Sequence, residues 1–363
     1  MKIQIVQDRL RSGGTERQTI LLAHAFSQAG HDVQVLTFRP GGALVKTLPP
    51  ISHRALQPFD LGLDWFAPGL HRAVKRFSPD VVLCMGRMAN SWAGFLKHKL
   101  QREDPRAIVL GTMRTGKNLP KRFRDSLEVV DHIVANSRDA AQRLIDEYGI
   151  ARERVSVIHN ALVFADRETI AEEQSRNVRR TIRTENGADE NTVVFLCVAM
   201  FRPEKNQRAL VDLFAKFSGR EKSQLWFVGD GPTRAHVQAL AHTKELGEAV
   251  KFFGFQADPE PFYLGADIAV LTSRSEALSN FLIEAHAHAL PSVAYDVMGV
   301  KECGGIAVPF EDEIAFLGSM NSLAQDAAAR SREGARLGAY ARDGFAPKKQ
   351  AGEYLELFAR LRS

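Results

Sequence analysis

The 363-residue sequence has few cysteines, no long hydrophobic run and no cluster of metal-binding side chains. Its three cysteines, Cys84, Cys197 and Cys303, stand far apart, which favours neither a disulfide framework nor a metal site. No apolar run approaches the roughly 20 residues that cross a bilayer, and the N-terminus is charged too early for a signal peptide. We therefore expect a protein of the reducing cytoplasm.

Several cofactor motifs are also missing. There is no G-x-G-x-x-G fingerprint, which argues against a nicotinamide cofactor. Residues 111–118 nearly spell a P-loop, but Asn118 replaces the hydroxyl that would hold magnesium and Pro120 interrupts the following helix. No D-x-D pair lies in a suitable loop, and His286 and His288 fall on different helix faces, where we expect packing roles. The sequence thus predicts no metal and no cofactor.

Positive charge is concentrated in the first part of the chain. The first 150 residues carry 22 Lys and Arg against 14 Asp and Glu. This excess predicts an anionic partner, such as a phospholipid surface or a phosphate-bearing acceptor, or else only a generic basic surface. Residues 65–77 and 117–124 mix aromatics with cations, which indicates either peripheral contact with an anionic membrane or ordinary helix surface. No nucleic-acid motif accompanies the charge, so we expect no nucleic-acid partner.

Strands and helices alternate along both halves of the chain. This pattern predicts an α/β protein of two Rossmann-like, doubly wound parallel-sheet domains that face a central cleft. We place the first domain at 1–163, the second at 164–345, and a C-terminal helix at 346–363 that packs back on the first domain. The polar segment 164–191 is interpreted as a linker leading into a solvated helix. Predicted strands cover residues 2–6, 31–37, 81–85, 107–111, 132–135 and 155–159, then 192–199, 224–228, 250–253, 268–271 and a short run after Pro291.

Residues 267–303 contain the candidate site. They are predicted to form a buried strand, a polar loop, an apolar helix and a second strand. Glu276 and Glu284 bracket the loop and the first turn of the helix. A carboxylate in such an apolar segment must be paired or must bind a ligand.

Three further strand-to-helix loops are suited to anions. Gly13 and Gly14 precede the first helix, whose N-terminus can face a phosphate. Arg202 and Lys205 are three residues apart, so both cations can converge on one diphosphate. Gly229 permits close backbone approach to a ligand, although each of these loops could equally be a solvated turn.

Taken together, these segments resemble the ordered motif series of family-four retaining glycosyltransferases (glycosyl transferases group 1) with the GT-B fold. The resemblance runs in order over nearly the whole chain and is most specific in the second domain. The motifs are Gly13-Gly14-Thr15-Glu16-Arg17, Ala135-Asn136-Ser137, Phe201-Arg202-Pro203-Glu204-Lys205-Asn206, Val228-Gly229-Asp230-Gly231-Pro232 and the pair Glu276 and Glu284, separated by seven residues.

The resemblance implies a nucleotide-sugar donor on the second domain and an acceptor mainly on the first. Arg202 and Lys205 would neutralise the leaving diphosphate, Glu284 would bind the ribose, and Glu276 would orient the transferred sugar. The backbone around Leu278, Ser279 and Asn280 would meet the sugar or phosphates, Gly14 would approach the diphosphate from across the cleft, and the base would lie near Gly254 and Phe255.

Two departures from the family pattern concern the loop and the acceptor side. Ala277 follows Glu276 where the family often has glycine. The family's usual active-site histidine is missing, and Arg87 or Arg114 stands near the expected positions. We hypothesise that one of these arginines substitutes, facing an anionic sugar or acceptor.

The function implied is a cytoplasmic, metal-independent retaining glycosyltransferase, located in part at the inner face of the membrane. It would move a sugar from a nucleotide-sugar, with UDP as the expected nucleotide, to a saccharide or lipid-linked acceptor in surface polysaccharide or lipopolysaccharide synthesis. The alternatives are a nucleotide-sugar epimerase or hydrolase of the same fold, and a non-catalytic nucleotide-sugar-binding subunit.

Overall fold

The computed structural model describes residues 1–11, 13–162 and 172–363. By their internal packing the residues fall into two compact units, Met1–Val163 with Phe345–Ser363, and Phe164–Gly344. We call these unit 1 and unit 2. Ser12, residues 164–171 of the predicted linker and the predicted domain boundary at 163/164 lie outside the described residues.

Unit 1 contains a seven-stranded parallel sheet of order β3-β2-β1-β4-β5-β6-β7. The predicted doubly wound parallel sheet is therefore confirmed. One strand, β3, was not expected, because its alternating exposed residues lack the apolar run that marks the buried strands. The strands are β1 (Lys2–Gln7), β2 (Asp32–Thr37), β3 (Ser52–Ala55), β4 (Val81–Cys84), β5 (Ile108–Met113), β6 (His132–Ala135) and β7 (Val155–Val157), and the helices are α1 (Gly14–Gln28), α2 (Leu70–Phe77), α3 (Arg87–Glu103), α4 (Lys121–Val129) and α5 (Arg138–Asp146).

Unit 2 contains a six-stranded parallel sheet of order β10-β9-β8-β11-β12-β13. Its central strands are nearly continuous apolar runs, as expected where helices cover both faces. The strands are β8 (Val193–Val198), β9 (Ser223–Val228), β10 (Val250–Phe252), β11 (Ile268–Leu271), β12 (Ser292–Tyr295) and β13 (Ile306–Val308), and the helices are α6 (Glu172–Glu185), α7 (Gln207–Lys216), α8 (Arg234–Thr243), α9 (Glu260–Gly265), α10 (Asn280–Ala287), α11 (Glu313–Gln325) and α12 (Ala327–Phe345).

The C-terminal helix α13 (Pro347–Arg362) belongs to the core of unit 1. Tyr354 and Phe358 are fully buried and lie against Phe26 of α1, with ring centroids 6.0 and 5.8 Å apart. Burying aromatic rings of this size stabilises by about 2–3 kcal/mol each. The last helix is thus an integral part of the first sheet's packing.

Helix α6 is not the fully solvated helix that its charge predicts. Arg183 is only 4% exposed and donates to the carbonyls of Gly265, Asp189 and Thr192. Arg183 and Arg179 also pair with the two carboxylate oxygens of Asp267, at 3.0 and 2.6 Å. The prediction was wrong for this helix face, because helical charge spacing does not show which cations meet carbonyls and a carboxylate of another element.

In the described part of the chain, no helix is both long enough and apolar enough to cross a membrane.

Candidate functional site

The candidate site of unit 2 lies where the strand order reverses. Strands β8 and β11 are hydrogen-bonded neighbours in the sheet. From the carboxyl end of β8 the chain continues to β9 on one side of this pair, and from the carboxyl end of β11 it continues to β12 on the other side. Such a topological switch point opens a crevice in which α/β proteins bind ligands. The loops 199–206 and 272–279 that leave these two strands carry five of the predicted site residues, namely Arg202, Lys205, Glu276, Leu278 and Ser279.

Three contacts join these two loops. The Arg274 backbone N–H donates to the Glu204 carbonyl at 2.8 Å, and the Thr272 hydroxyl donates to the Asn206 carbonyl at 2.9 Å. The Lys205 ammonium lies 2.5 Å from a carboxylate oxygen of Glu276. The structure therefore brings two predicted site residues, 71 positions apart in sequence, into direct contact.

Glu276 is a buried carboxylate with only 8% exposure. An unpaired charge at that burial would be costly, and Lys205 supplies the compensating cation. The sequence predicted that a carboxylate in this apolar segment must be paired or must bind a ligand, and Lys205 is the pairing cation. The pair also leaves the ammonium close to any anion that enters the crevice.

The predicted backbone donors lie at the start of α10. The Ser279 hydroxyl caps this helix by accepting from the Leu282 N–H at 3.4 Å, and Asn280 is the first helical residue. Leu278 and Ser279 are buried, so their chain path is closely packed. Gly299 has φ of +75°, and a Cβ there would come within 2.0 Å of the Ala277 carbonyl oxygen. The absence of a side chain at Gly299 therefore lets this loop take its shape.

Glu284 is the fifth residue of α10, one residue past the first turn in which it was predicted. Its Oε2 accepts a hydrogen bond from the Tyr263 hydroxyl of α9 at 2.7 Å. His288 stacks on the Tyr263 ring, with centroids 4.8 Å apart and 13° between planes. Tyr263 was missed in the sequence, because nothing in a single sequence relates α9 to a carboxylate 21 residues away.

His286 has a structural role, as expected. It is completely buried, and its ring nitrogens lie 2.9 Å from the Cys303 carbonyl and 2.8 Å from the Ser292 hydroxyl. Burial lowers the pKa of His286 to about 4, so the ring is neutral at physiological pH.

The loops after β9 and β10 meet at two glycines. The Gly229 N–H donates to the Gly254 carbonyl at 2.7 Å. Gly229 has φ of +139°, and a Cβ there would lie 2.1 Å from the Ala199 carbonyl oxygen, so only glycine fits. Phe255, next to Gly254, is 61% exposed and presents a large aromatic face.

Arg202 is not part of the Lys205–Glu276 contact. Its side chain is exposed, and the residue lines a cavity between α7 and α8 together with Arg274. The sequence predicts that both cations bind one diphosphate, whereas here Lys205 is held by a carboxylate and Arg202 borders a different space.

In unit 1, Gly13 and Gly14 form the start of α1. Gly13 is the N-cap and Gly14 the first helical residue. The Glu16 carboxylate folds back over this end, since a Cβ on Gly13 would lie 2.5 Å from Glu16 Oε2. The chain's own carboxylate therefore lies at the helix N-terminus where we expect an external anion.

The two arginines of the acceptor hypothesis have different surroundings. Arg87 is exposed at the start of α3. Arg114 donates to the Asn160 carboxamide oxygen at 2.5 Å and to the Tyr354 hydroxyl at 2.8 Å, so its guanidinium ties the end of β5 to α13. The contacts of Arg114 are those of a structural side chain, and Arg87 is the arginine of the two with an exposed side chain.

Asp8 was not noticed in the sequence. It follows β1, at the switch point between β1 and β4, and accepts the N–H groups of Met88 and Ala89 at 3.0 and 2.8 Å. Burial raises the pKa of Asp8 to about 6, against the lowering effect of these two hydrogen bonds. A lone Asp after a strand is too common for the sequence to single it out.

Two glycosyltransferase family models match the sequence, one in each half of the chain. The sequence-family model named glycosyl transferases group 1 matches residues 178–337. The sequence-family model named glycosyltransferase family 4 matches residues 12–163. The chain therefore carries a glycosyltransferase family 4 domain and a glycosyl transferases group 1 domain. The predicted family and the GT-B fold are thereby confirmed.

The relatives of this glycosyltransferase include enzymes of lipopolysaccharide core synthesis. It is 25% identical over 356 residues to the lipopolysaccharide core biosynthesis glycosyltransferase LpsD of Rhizobium meliloti, covering 96% of this chain and 95% of LpsD. LpsE of the same organism is 26% identical over 257 residues, covering 65% of this chain and 71% of LpsE. The crystal structure of Anabaena HepE in complex with UDP matches with a TM-score of 0.81 at 19% identity, over 99% of this chain and 100% of HepE.

Within residues 1–11, 13–162 and 172–363, no group of three or more His, Cys, Asp or Glu side chains is arranged to hold a metal ion. Among the described residues, the loops that leave β8 and β11 carry the cations Arg202, Lys205 and Arg274, and the second loop leads into the N-terminus of α10.

Proposed function

We propose that this chain is a retaining, metal-independent glycosyltransferase that moves a sugar from a UDP-sugar to a saccharide or lipid-linked acceptor. The observation that carries the proposal is the Lys205–Glu276 contact at the unit 2 switch point, beside the capped N-terminus of α10. Support for the donor comes from HepE, solved with UDP and with UDP-glucose. Support for the pathway, lipopolysaccharide assembly, comes from LpsD and LpsE.

In the proposed reaction the bond between the sugar's anomeric carbon and the diphosphate oxygen breaks, and an acceptor hydroxyl attacks from the same face. The acceptor's proton passes to the leaving phosphate oxygen. Charge builds up on the diphosphate, so groups that stabilise it lower the barrier most. We assign this role to Lys205, Arg202 and the α10 N-terminus.

The two glutamates have separate roles in this proposal. Glu284, held by the Tyr263 hydroxyl at 2.7 Å, accepts hydrogen bonds from the ribose hydroxyls. Glu276, held by Lys205, orients the transferred sugar. Phe255 and the backbone of Gly254 lie beside the base, and the acceptor binds on unit 1, where Arg87 is the exposed candidate for an anionic group.

Donor identity is tested first by thermal shift of the purified chain against UDP-, GDP-, ADP- and TDP-sugars. A ligand that binds only the native state raises the melting temperature. We expect UDP-sugars to give the largest rise, and an equal response to another nucleotide would contradict the choice of UDP.

Turnover then separates the alternatives. Transfer to a saccharide acceptor with the α configuration retained in the NMR spectrum, unchanged by EDTA, supports the proposal. A changed sugar without transfer would indicate an epimerase, free sugar a hydrolase, and donor binding without any turnover a binding subunit.

The two glutamates are compared by kinetics. Glu284→Ala should raise the donor KM, whereas Glu276→Ala should mainly lower kcat. Arg220→Ala, which removes an exposed arginine at a distant turn, is the matched control. Equal effects of both glutamate variants on KM and kcat would contradict the division of roles.

We also propose that unit 1 contacts the anionic inner face of the membrane. Trp65 is 55% exposed and Phe95 39% exposed, Arg122 lies over the Trp92 ring at 4.6 Å, and Lys99 lies over Phe95 at 5.9 Å. Aromatic rings with adjacent cations suit an anionic interface. Wild-type protein should sediment with phosphatidylglycerol vesicles at low salt, and a Trp65→Ala, Phe95→Ala variant should not. Equal sedimentation of the two proteins would contradict the proposed surface.

A further inference from the structure

A cavity of about 740 Å³ lies in unit 2 between α7 and α8. The segment that carries Arg202, Pro203 and Glu204 borders it on one side, and Arg274 borders it on another. The volume is within the range of small-molecule sites.

This cavity is distinct from the predicted donor crevice. Lys205, Glu276 and Glu284 do not line it, and Arg202 is the predicted donor residue that does. The function proposed above therefore leaves most of the cavity wall unexplained.

The charge around the cavity is mainly positive. Three arginines, Arg202, Arg208 and Arg274, line it against one carboxylate, Glu204, and the His236 imidazole lines it as well. Within the described chain, the carboxylate contacts of two of these arginines are long. Arg208 lies 3.9 Å from Asp212 and Arg274 lies 3.5 Å from Glu311, with 78% and 58% of the two arginine side chains exposed. Long, exposed ion pairs of this kind contribute little to the free energy of unfolding, so both arginines remain available to an anion.

Buried polar atoms at the same wall lack partners. Gln207 is 2% exposed, and its Oε1 has no hydrogen-bond partner among the described residues. The same is true of Asn206 Nδ2 and Thr233 Oγ1 in that part of the chain. Native proteins satisfy most buried polar groups, so three such atoms at one cavity indicate a polar ligand.

The remaining wall is apolar. Pro203, Val237 and Leu240 present hydrocarbon to the cavity. A free inorganic anion would leave that surface uncovered, whereas an anion attached to an apolar or aromatic body would cover it.

We propose that this cavity is a second ligand site, for a small organic phosphate with an apolar body, and that its occupant weakens donor binding. This effect on donor binding rests on the proposed function, because it requires Arg202 to contact both the cavity's occupant and the donor diphosphate. The Arg274 N–H bond to the Glu204 carbonyl also connects the cavity wall to the loop that bears Glu276. A phosphate that engages Arg202 withdraws this guanidinium from the donor diphosphate, and linkage makes the antagonism reciprocal.

The probe for this site is phenyl phosphate, titrated into the full chain by calorimetry, with phenol and inorganic phosphate as separate arms. We expect phenyl phosphate to bind most tightly, since it alone offers both an anion and an apolar ring. Arg208→Ala and His236→Ala should each weaken it at least fivefold, and Leu240→Trp, which fills the cavity, should abolish binding. Arg220→Ala should have no effect.

A second titration separates this site from the donor site. Arg208→Ala should leave UDP affinity unchanged, whereas Glu284→Ala should weaken UDP and leave phenyl phosphate unchanged. Saturating UDP should weaken phenyl phosphate three- to tenfold without abolishing its binding. Binding that responds to Glu284→Ala but not to Arg208→Ala would place the probe in the donor site and overturn the proposal. Failure of UDP to bind at all would refute the proposed function while the Arg208 and His236 variants still report on the cavity.

Discussion

Replacing Arg183 by alanine should destabilise unit 2 far more than its place on a polar helix suggests. Arg183 Nη1 donates to Gly265 O at 2.8 Å and pairs with Asp267 Oδ2 at 3.0 Å. Its Nη2 donates to the carbonyls of Asp189 and Thr192 at 2.6 and 2.5 Å. Asp267 in turn accepts the Val194 N–H at 2.8 Å, which links α6 to the starts of β8 and β11.

The expected loss in the free energy of unfolding follows from the burial of Arg183. Removing one partner of a buried pair leaves the other charge and the accepting carbonyls uncompensated, which typically costs about 3–5 kcal/mol. Arg179 still pairs with Asp267 in the variant, so we expect the lower part of that range, about 3 kcal/mol. With a urea dependence of about 2 kcal/mol per molar, the midpoint should fall by about 1.5 M.

The three cysteines allow each unit to be followed separately. Cys84 lies in unit 1, and Cys197 and Cys303 lie in unit 2; all three are buried, and burial raises the pKa of their thiols. They should therefore react with iodoacetamide only on unfolding, and mass spectrometry can locate the label at each urea concentration.

The expected result is a lower midpoint for labelling of Cys197 and Cys303 in Arg183→Ala, with Cys84 unchanged. Arg180→Ala is the matched control, because Arg180 is exposed on the same helix and bonds only Asn177 among the described residues. If both variants shift the unit 2 midpoint by the same small amount, below about 0.5 M, the stabilising role of the Arg183 network is refuted.

Three further predictions follow from single contacts. Tyr263→Phe should raise the donor KM about tenfold or more, since one hydrogen bond to a charged group contributes about 1.5–3 kcal/mol. Tyr340→Phe in the same unit should leave the KM unchanged. An unchanged KM in Tyr263→Phe would show that the Tyr263 hydroxyl does not position Glu284. Because the pKa of Asp8 is raised to about 6, the folded state binds more protons than the unfolded one, so unit 1 should lose roughly 2–3 kcal/mol of stability as pH rises from about 4 to 6. Asp8→Asn should remove that dependence. At these acid pH values Cys84 exposure is followed with dipyridyl disulfide, which reacts with thiols at acid pH, and an unchanged pH profile of Cys84 modification would contradict the prediction. The opposite pH dependence holds for His286, because burial lowers its pKa to about 4. Unit 2 should lose roughly 3 kcal/mol of stability as pH falls from about 6.5 to 4. His286→Gln should flatten the pH profile of Cys197 and Cys303 modification.

The parts of the fold that sequence patterns predict are those with local physical causes. Apolar strands were placed within a few residues of their observed bounds. Strands β3 and β13 were missed, because the first is half exposed and the second has three residues. Loop positions at the switch point could be predicted from the alternation of strands and helices, since parallel strands end at one edge.

Partners distant in sequence could not be predicted. Arg114 was one of two arginines hypothesised to face a ligand, and it bonds Tyr354, 240 residues away. Arg183 was assigned to solvent, yet it is buried beside Asp267. In both cases the residue type is compatible with either role, and only the tertiary contact decides between them.

The Lys205–Glu276 pair has a consequence for the proposed reaction. A diphosphate entering the crevice would compete with Glu276 for the Lys205 ammonium, so part of its electrostatic binding energy would be used in loosening that pair. Glu276 would then be free to accept hydrogen bonds from the sugar of the same donor. Under the proposed function, the pair would thus couple occupation of the diphosphate position to the availability of Glu276 for the sugar. For this reason Glu276→Ala should leave Lys205 more available to phosphate, so that slower transfer is accompanied by a donor KM that is unchanged or lower.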